Sequence, residues 1–522
     1  MPSSRQPTET SPETDHHRDP YTGSRIKRGV VYLVGGKAVV SIAGIGAFVL
    51  LARSLPIEQF AAYTVLSAMP DLVAAITGVG LIHVLSRYVP ELNAQHRLRA
   101  LRRLVAVVLA LRMAVLAPFL AATFVLAPAI APLIGLAGWE WAIQVYAVVV
   151  LTRISVMSLF SVLESLLRQG YAQLGFGLAT VLRFLLFLLL AQSGEVDLRT
   201  VIIVELAADV VGLGVMSIGL LRALSHHAHE RVNDKGWLHA NLGRMTEFGL
   251  KGYLQHILIL PFGGATNRVL VGGALTGSEV ALFGFAQSVG ELMERYLPAH
   301  LLAGVIRPVL AARYVRDRRF ADVEVAANLI FKLNAVLICA ASVVVFGGDE
   351  ELLMLVSDGK YVDGVGLLLV MCLLVLMFSL RHMLDHVAHA VERNGPLIWS
   401  NIVISLSMLP GLALMPSLGV FALPVANVVG VAAGCVILVW RLRAEGFEYR
   451  QDIAGLIRLL TATAFAYVAC QSARWIGVNW VVATGAGLVV MAVATWALRP
   501  LESAEAILIR QMLQRSQPAA AT

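Results

Sequence analysis

The sequence predicts an all-α, polytopic membrane protein of about 14 transmembrane helices, set out as two six-helix halves with two further helices appended. Three observations predict it. With 58% hydrophobic and 14% charged residues and a mean hydropathy of +0.76, the chain is far from a soluble domain, where roughly a quarter of residues are charged. Apolar runs long enough to cross about 30 Å of hydrocarbon at about 1.5 Å per residue recur from end to end. Finally, a hairpin pattern occurs twice: Leu55, Phe60, Ala61 and Tyr63 match Leu275, Val280, Ala281 and Phe283 at a constant shift of 220. Two membrane halves facing each other are a common way to build a transporter.

Residues 1–24 are polar and rich in Ser, Thr, Asp and His, which predicts a disordered cytoplasmic tail; they lack the basic-then-apolar pattern of a signal peptide. The first half, 25–222, holds spans near 29–53, 60–84, 104–127, 139–163, 174–192 and 199–221. A basic loop at 223–248 leads to the second half, 249–443, with spans near 250–274, 279–304, 323–346, 364–391, 396–415 and 419–440. The segment 444–499 carries the last pair, near 455–474 and 478–498, before a tail at 500–522. Within that tail, 500–515 reads either as a short amphipathic helix or as a frayed end. A second repeat supports the division: Arg168-Gln169-Gly170 closes the fourth span and Arg393-Asn394-Gly395 the tenth, 225 residues apart. Weak points recur as well, with Pro261, Gly263 and Gly264 interrupting the seventh span and Gly35, Gly36, Gly44 and Gly46 loosening the first. These are candidate bending points or close-packing sites.

Charge sets the orientation. On alternate loops lie Arg25, Lys27 and Arg28, then Arg87, Arg97, Arg99, Arg102 and Arg103, and later Arg313, Arg316, Arg318 and Arg319. The opposite loops hold only Arg199, Lys360 and Arg474. Short loops rich in Lys and Arg stay inside, so both termini are expected in the cytoplasm. The same distribution accounts for the net charge of +7 without nucleic acid as a partner. The four cysteines, Cys339, Cys372, Cys435 and Cys470, fall inside apolar runs and read as packing residues. The longest outer loop, Gly347 to Asp363, is acidic and glycine-rich, too small for the extramembrane site an outer-face enzyme needs.

The stretch LLARSLPIEQFAAY and the following GLIHVLSRYVPEL resemble the opening of Wzx-type polysaccharide-transport flippases, a branch of the multidrug/oligosaccharidyl-lipid/polysaccharide exporter superfamily. Ala52, Arg53, Leu55, Phe60 and Tyr63 fit that family's turn pattern, and Arg87, Tyr88, Pro90 and Glu91 its Arg-Tyr-x-Pro-Glu ending. Phe248-Gly249 through Asn267-Arg268 to Gly272 is similar to the start of the family's second half. Three positions depart: Pro56 and Ala61 replace glycines, and Asn267 stands where an aspartate is usual. The resemblance implies two six-helix lobes around a central cavity open alternately to each side. It also implies a cargo, an oligosaccharide linked through phosphate or pyrophosphate to a polyprenol.

An ionisable residue at mid-membrane needs a partner, a wet cavity or a function. Arg153, Arg183, Arg268, Arg295, Lys37 and Arg112 are the cationic candidates, and guanidinium suits phosphate because its planar fork makes paired charge-assisted hydrogen bonds. Interhelical ion pairing is the competing account, above all for Arg295, one turn from Glu291. Asp71, Glu205, Asp209, Glu291, Glu294 and Asp385 are the acidic set. Of these, Glu205 and Asp209 share one helix face, where one of two close carboxylates can carry a proton or sodium ion as the coupling species. His382, Asp385, His386 and His389 recur at i, i+3, i+4 and i+7 beside Arg381; substrate contact, proton transfer, packing and a metal site are all open to that face.

The expected function is a flippase carrying a polyprenyl-(pyro)phosphate-linked oligosaccharide from the inner to the outer leaflet of a bacterial inner membrane by alternating access, for surface polysaccharide biosynthesis. The expected partners are the lipid-linked cargo, membrane lipids, and the polymerase and export proteins of that pathway. No cofactor is expected beyond a coupling ion, and no metal. A multidrug exporter of the same superfamily is the first alternative, and a membrane polymerase or ligase of the same pathway the second.

Overall fold

Inside a bilayer the backbone has no water to bond to, so a spanning chain must satisfy its N–H and C=O groups within helices. A computed structural model describes residues 23–95, 97–194, 196–225, 236–301, 320–391, 393, 395–500 and 505, with the backbone alone at 23–38, 94, 255 and 301. Among the described residues there is no strand. The first lobe runs through α1 (Gly23–Ser54), α2 (Ile57–Leu66, Met69–Thr77 and Leu81–Ala94), α3 (Leu98–Ile130), α4 (Glu140–Ser165), α5 (Gln169–Ser193) and α6 (Leu198–Ser225). The second comprises α7 (Trp237–Ile259 and Gly264–Ala274), α8 (Gly277–Tyr296), α9 (Phe320–Ser357), α10 (Val365–Ala390), α11 (Gly395–Leu406 and Met408–Leu418) and α12 (Ala422–Ala444). A final hairpin, α13 (Ile453–Trp475) and α14 (Trp480–Leu498), packs on α9.

Eleven described stretches are long and apolar enough to cross a membrane by length and composition, one of which, Gly395–Ala444, holds both α11 and α12. With α1, apolar over Val39–Ser54, and α8, the described helices number the fourteen that the sequence predicts. α8 stands apart because it carries Glu279, Glu291, Glu294 and Arg295, the signature of a helix facing the protein interior and not lipid. Residues 1–22 of the expected tail, residues 226–235 of the central loop, Arg313, Arg316, Arg318 and Arg319, and nearly all of 500–515 lie outside the described residues, while 23–24 already belong to α1.

The two internal repeats reappear as helix ends. α1 stops at Ser54 and α2 starts at Ile57; α7 stops at Ala274 and α8 starts at Gly277, the same shift of 220. The first turn is stiffened by Pro56; in the second, Thr276 and Glu279 form a capping box, Thr276 Oγ1 lying 2.7 Å from Glu279 Oε2. The lobes meet where this symmetry puts equivalent positions face to face. Thr64 of α2 and Gly284 of α8 are related by the same shift and lie in contact, so close that a Cβ on Gly284 would overlap the Thr64 side chain. Small residues at such crossings suit helices that gain nothing from hydrophobic burial against lipid.

One open expectation is decided in favour of packing, and another needs correction. α1 is unbroken through Gly35, Gly36, Gly44 and Gly46. At Gly46 a Cβ would strike the Phe184 ring, so this glycine serves packing and not bending. The break in the first lobe falls in α2, at Gly78–Gly80, where Val79 and Gly80 have φ of 42° and 73° and Gly80 abuts the Gly249 backbone of α7. The second-lobe break is at Leu260–Phe262 and Gly263, where Pro261 supplies no N–H to continue the helix. The stretch expected as a loop from Gly347 to Asp363 is largely helical: α9 continues to Ser357 through a kink at Asp349 with φ 48°.

Candidate functional site

Three polar clusters lie within the bundle. In the first lobe, α6 presents Glu205 and Asp209 one turn apart, and both are buried. Arg153 of α4 reaches Asp209 with Nε at 2.9 Å and Glu205 at 3.6 Å, while Arg183 of α5 reaches the other Asp209 oxygen at 2.9 Å. Glu205 also accepts hydrogen bonds from the hydroxyls of Tyr63 and Tyr146, each at 2.8 Å. Two guanidiniums and two carboxylates cancel in charge, and the two phenols satisfy the Glu205 oxygens that the guanidiniums leave open. Even so, Arg153 Nη2 and Arg183 Nε lack hydrogen-bond partners, and about a fifth of each side chain stays accessible.

The second cluster straddles the lobes. Arg268 of α7 donates to Glu291 of α8 at 2.7 Å, to Ser288 at 3.3 Å and across to Ser67 of α2 at 3.4 Å. Gln287 donates to the other Glu291 oxygen at 2.8 Å. Asp71 and Glu291 are equivalent under the 220-residue shift, and Asp71 lies within electrostatic range of Glu291, Arg268, Arg153 and Arg295. Asp71 and Arg295 are exposed, and Arg295 makes no ion pair or hydrogen bond among the described residues.

The third cluster belongs to the second lobe. His382 Nδ1 lies 3.5 Å from Glu294, and the His300 ring is 6.5 Å from the His382 ring. Arg381 pairs with Asp385 and donates to Asn401 at 2.7 Å. Of these, Arg381, His382, Asp385 and Asn401 line a cavity of about 260 Å3 together with Phe262 and Phe378. His389 reaches the cavity, whereas His386 is buried. Among the described residues no group of three His, Cys, Asp or Glu is arranged to hold a metal ion.

Of the other candidates, Arg112 of α3 is fully buried with all three guanidinium nitrogens unpartnered, apart from the clusters above. Lys37 sits on α1, its side chain outside those described. Sequence reasoning passed over Tyr146, Gln287, Ser67 and Asn401, whose residue types carry no charge to flag them. It also passed over Lys332 of α9, buried between Asp452 and Glu505, with Glu505 at 2.6 Å. A lysine inside an apolar run was the signal available there.

Fold and polar clusters together define a multi-pass membrane protein of two six-helix lobes, with charged groups paired inside each lobe and across the seam between them. No family model matches the chain, and no curated protein matches it by sequence. Among solved structures it is similar to the lipid II flippase MurJ in an inward closed conformation, with a TM-score of 0.66 and 10% identity over 93% of this chain and 100% of that one. It is also similar to a multidrug resistance MATE family transporter of the MOP superfamily in an inward-facing conformation, with 0.62 and 13% over 78% and 95%. A third is the MATE multidrug transporter DinF-BH, with 0.53 and 13% over 81% and 96%. At these identities the likeness is one of fold.

Proposed function

We propose that this chain is an alternating-access transporter whose cargo is an amphipath with a phosphate or pyrophosphate head, a polyprenyl-linked oligosaccharide moved from the inner to the outer leaflet of a bacterial inner membrane. The observation that carries the reading is a pair of guanidiniums on the second lobe that act on the first, Arg268 bonded to Ser67 and Arg295 exposed, unpaired and within electrostatic range of Asp71. A guanidinium bonded across a seam by one long contact exchanges that contact for a phosphate oxygen at little cost. Arg153 and Arg183, neutralised by Asp209 and Glu205, then act as a scaffold that holds α4, α5 and α6 together. Asp71 and Glu291 sit where a proton or sodium ion would couple to lobe motion. Both termini face the cytoplasm on this reading, since the arginine-rich loops stay inside.

The test is transfer of a fluorescent polyprenyl-pyrophosphate disaccharide between leaflets of proteoliposomes. Wild-type protein should speed transfer, and Arg295→Ala should slow it about tenfold, as loss of one charged hydrogen bond does, without lowering the melting temperature. Unaltered transfer by the folded variant counts against the reading. A second reading, export of cationic drugs, is favoured by one observation: the carboxylates of Asp71 and Glu291 also lie at the seam, one on each lobe. Drug efflux by cells expressing the chain, with no lipid transfer, would select it.

A further inference from the structure

At the arginine-rich end, a cavity of about 300 Å3 opens between helix ends of the first lobe. Its walls are Asn93 at the end of α2, Leu98 and Arg102 in the first turns of α3, Leu166 to Arg168 beyond α4, and Leu224 at the end of α6. Two helices begin here, α3 after Arg97 and α5 after Arg168, and neither N-terminus has a side-chain cap. Uncapped amides at the positive end of a helix dipole attract an anion.

Independent observations point the same way. Arg102 donates to the Leu224 carbonyl, which neutralises the end of α6, but its buried Nε has no partner. Arg168 makes no hydrogen bond or ion pair among the described residues. It is held at the cavity by Leu167, whose φ of 57° is costly for a non-glycine residue. No acidic side chain lines the cavity.

The wall chemistry separates a lipid from a soluble anion. Leu98 and Leu101 form an apolar floor, and Leu167 is 79% exposed at the mouth. Below it, Leu174, Leu178 and Leu185 form an exposed stripe along α5. That stripe lies on the helix whose N-terminus opens at the pocket.

We propose that this cavity is a binding site for the phosphate of an anionic glycerophospholipid, its head held by Arg102, Arg168 and the N-termini of α3 and α5, and its chain laid along α5. All of its lining residues belong to the first lobe and neither Arg268 nor Arg295 is among them, so its test does not depend on the transport reading. Binding of phosphatidylglycerol, phosphatidylcholine and inorganic phosphate to the full chain in neutral detergent should be measured by native mass spectrometry. Phosphatidylglycerol is expected to bind in preference to phosphatidylcholine, and Arg168→Gln should weaken it about fivefold, while Arg450→Gln, at an exposed site elsewhere, leaves it unchanged. Arg168 is exposed, so its loss does not threaten folding. Equal binding by wild type and Arg168→Gln, or an equal loss in Arg450→Gln, overturns the proposal. Arg168-dependent binding of inorganic phosphate without phosphatidylglycerol overturns the lipid source and leaves a soluble phosphate ligand.

Discussion

At the scale of the residue, the question is which buried charges are structural and which are available. Asp209 is structural: it accepts from Arg153 and Arg183 together. Removing one member of a buried pair leaves its partner uncompensated at a cost of about 3–5 kcal/mol, an upper figure here because both arginines keep some access. Asp209→Asn should therefore lower the melting temperature in detergent, and adding Arg183→Met should recover part of the loss, since one fewer cation then lacks an acid. A wild-type melting temperature in the single variant would show the pair to be dispensable. This distinction was hard to read in the sequence. Arg153, Arg183, Glu205 and Asp209 are all visible as charges in apolar runs, but whether an arginine faces a cavity or an acid depends on how α4, α5 and α6 are rotated, which residue spacing within one helix does not contain. Tyr63 and Tyr146 were harder still, because a tyrosine in an apolar span looks like any other aromatic.

At the scale of the element, the repeat was legible and its use was not. A shift of 220 in a handful of small and aromatic residues located the turns at both helix hairpins, because turn chemistry is local. That the same shift also pairs Thr64 with Gly284 across the lobes is a matter of tertiary symmetry. α2 and α8 approach there because Gly284 has no Cβ. Gly284→Leu should force the helices apart, lowering stability and trapping the lobes in a separated arrangement; Thr64→Gly in that background should restore part of both. The check is cross-linking between cysteines placed at Ser67 and Ser288, whose hydroxyls both accept from Arg268. An unchanged yield in Gly284→Leu would mean that the crossing is not tight in the working protein. The four native cysteines are buried, so background labelling stays low.

At the scale of the whole molecule, the lobes are joined at both ends. At the arginine-rich end Arg244 of α7 lies 3.3 Å from Glu91 and stacks over Tyr88 of α2. At the opposite end Lys360 donates to the carbonyls of Arg53 and Leu55 at 2.5 and 2.7 Å. Beside it Tyr361 stacks on Phe285 and tilts against Phe60. If the proposed alternating access holds, these ends open in turn, and each contact then sets a population. Lys360→Met strands two carbonyls, a loss of about 1–3 kcal/mol, and should raise the labelling rate of a cysteine at Ser288 by reagents entering from that end. The pH response has a sign that intuition gets wrong. Burial pushes the Lys360 ammonium below its ordinary 10.5, with Asp358 opposing. When that end opens the ammonium regains water and its ordinary value, so the open form binds the proton more tightly than the closed one. Between the lowered value and 10.5, raising the pH then favours closure, because only the closed form has already shed the proton. A thiol also labels faster as it ionises, so the readout is the wild-type rate for a cysteine at Ser288 divided by the rate in Lys360→Met, a ratio that should fall across that alkaline window. A ratio that stays flat with pH would mean that Lys360 does not hold the lobes together.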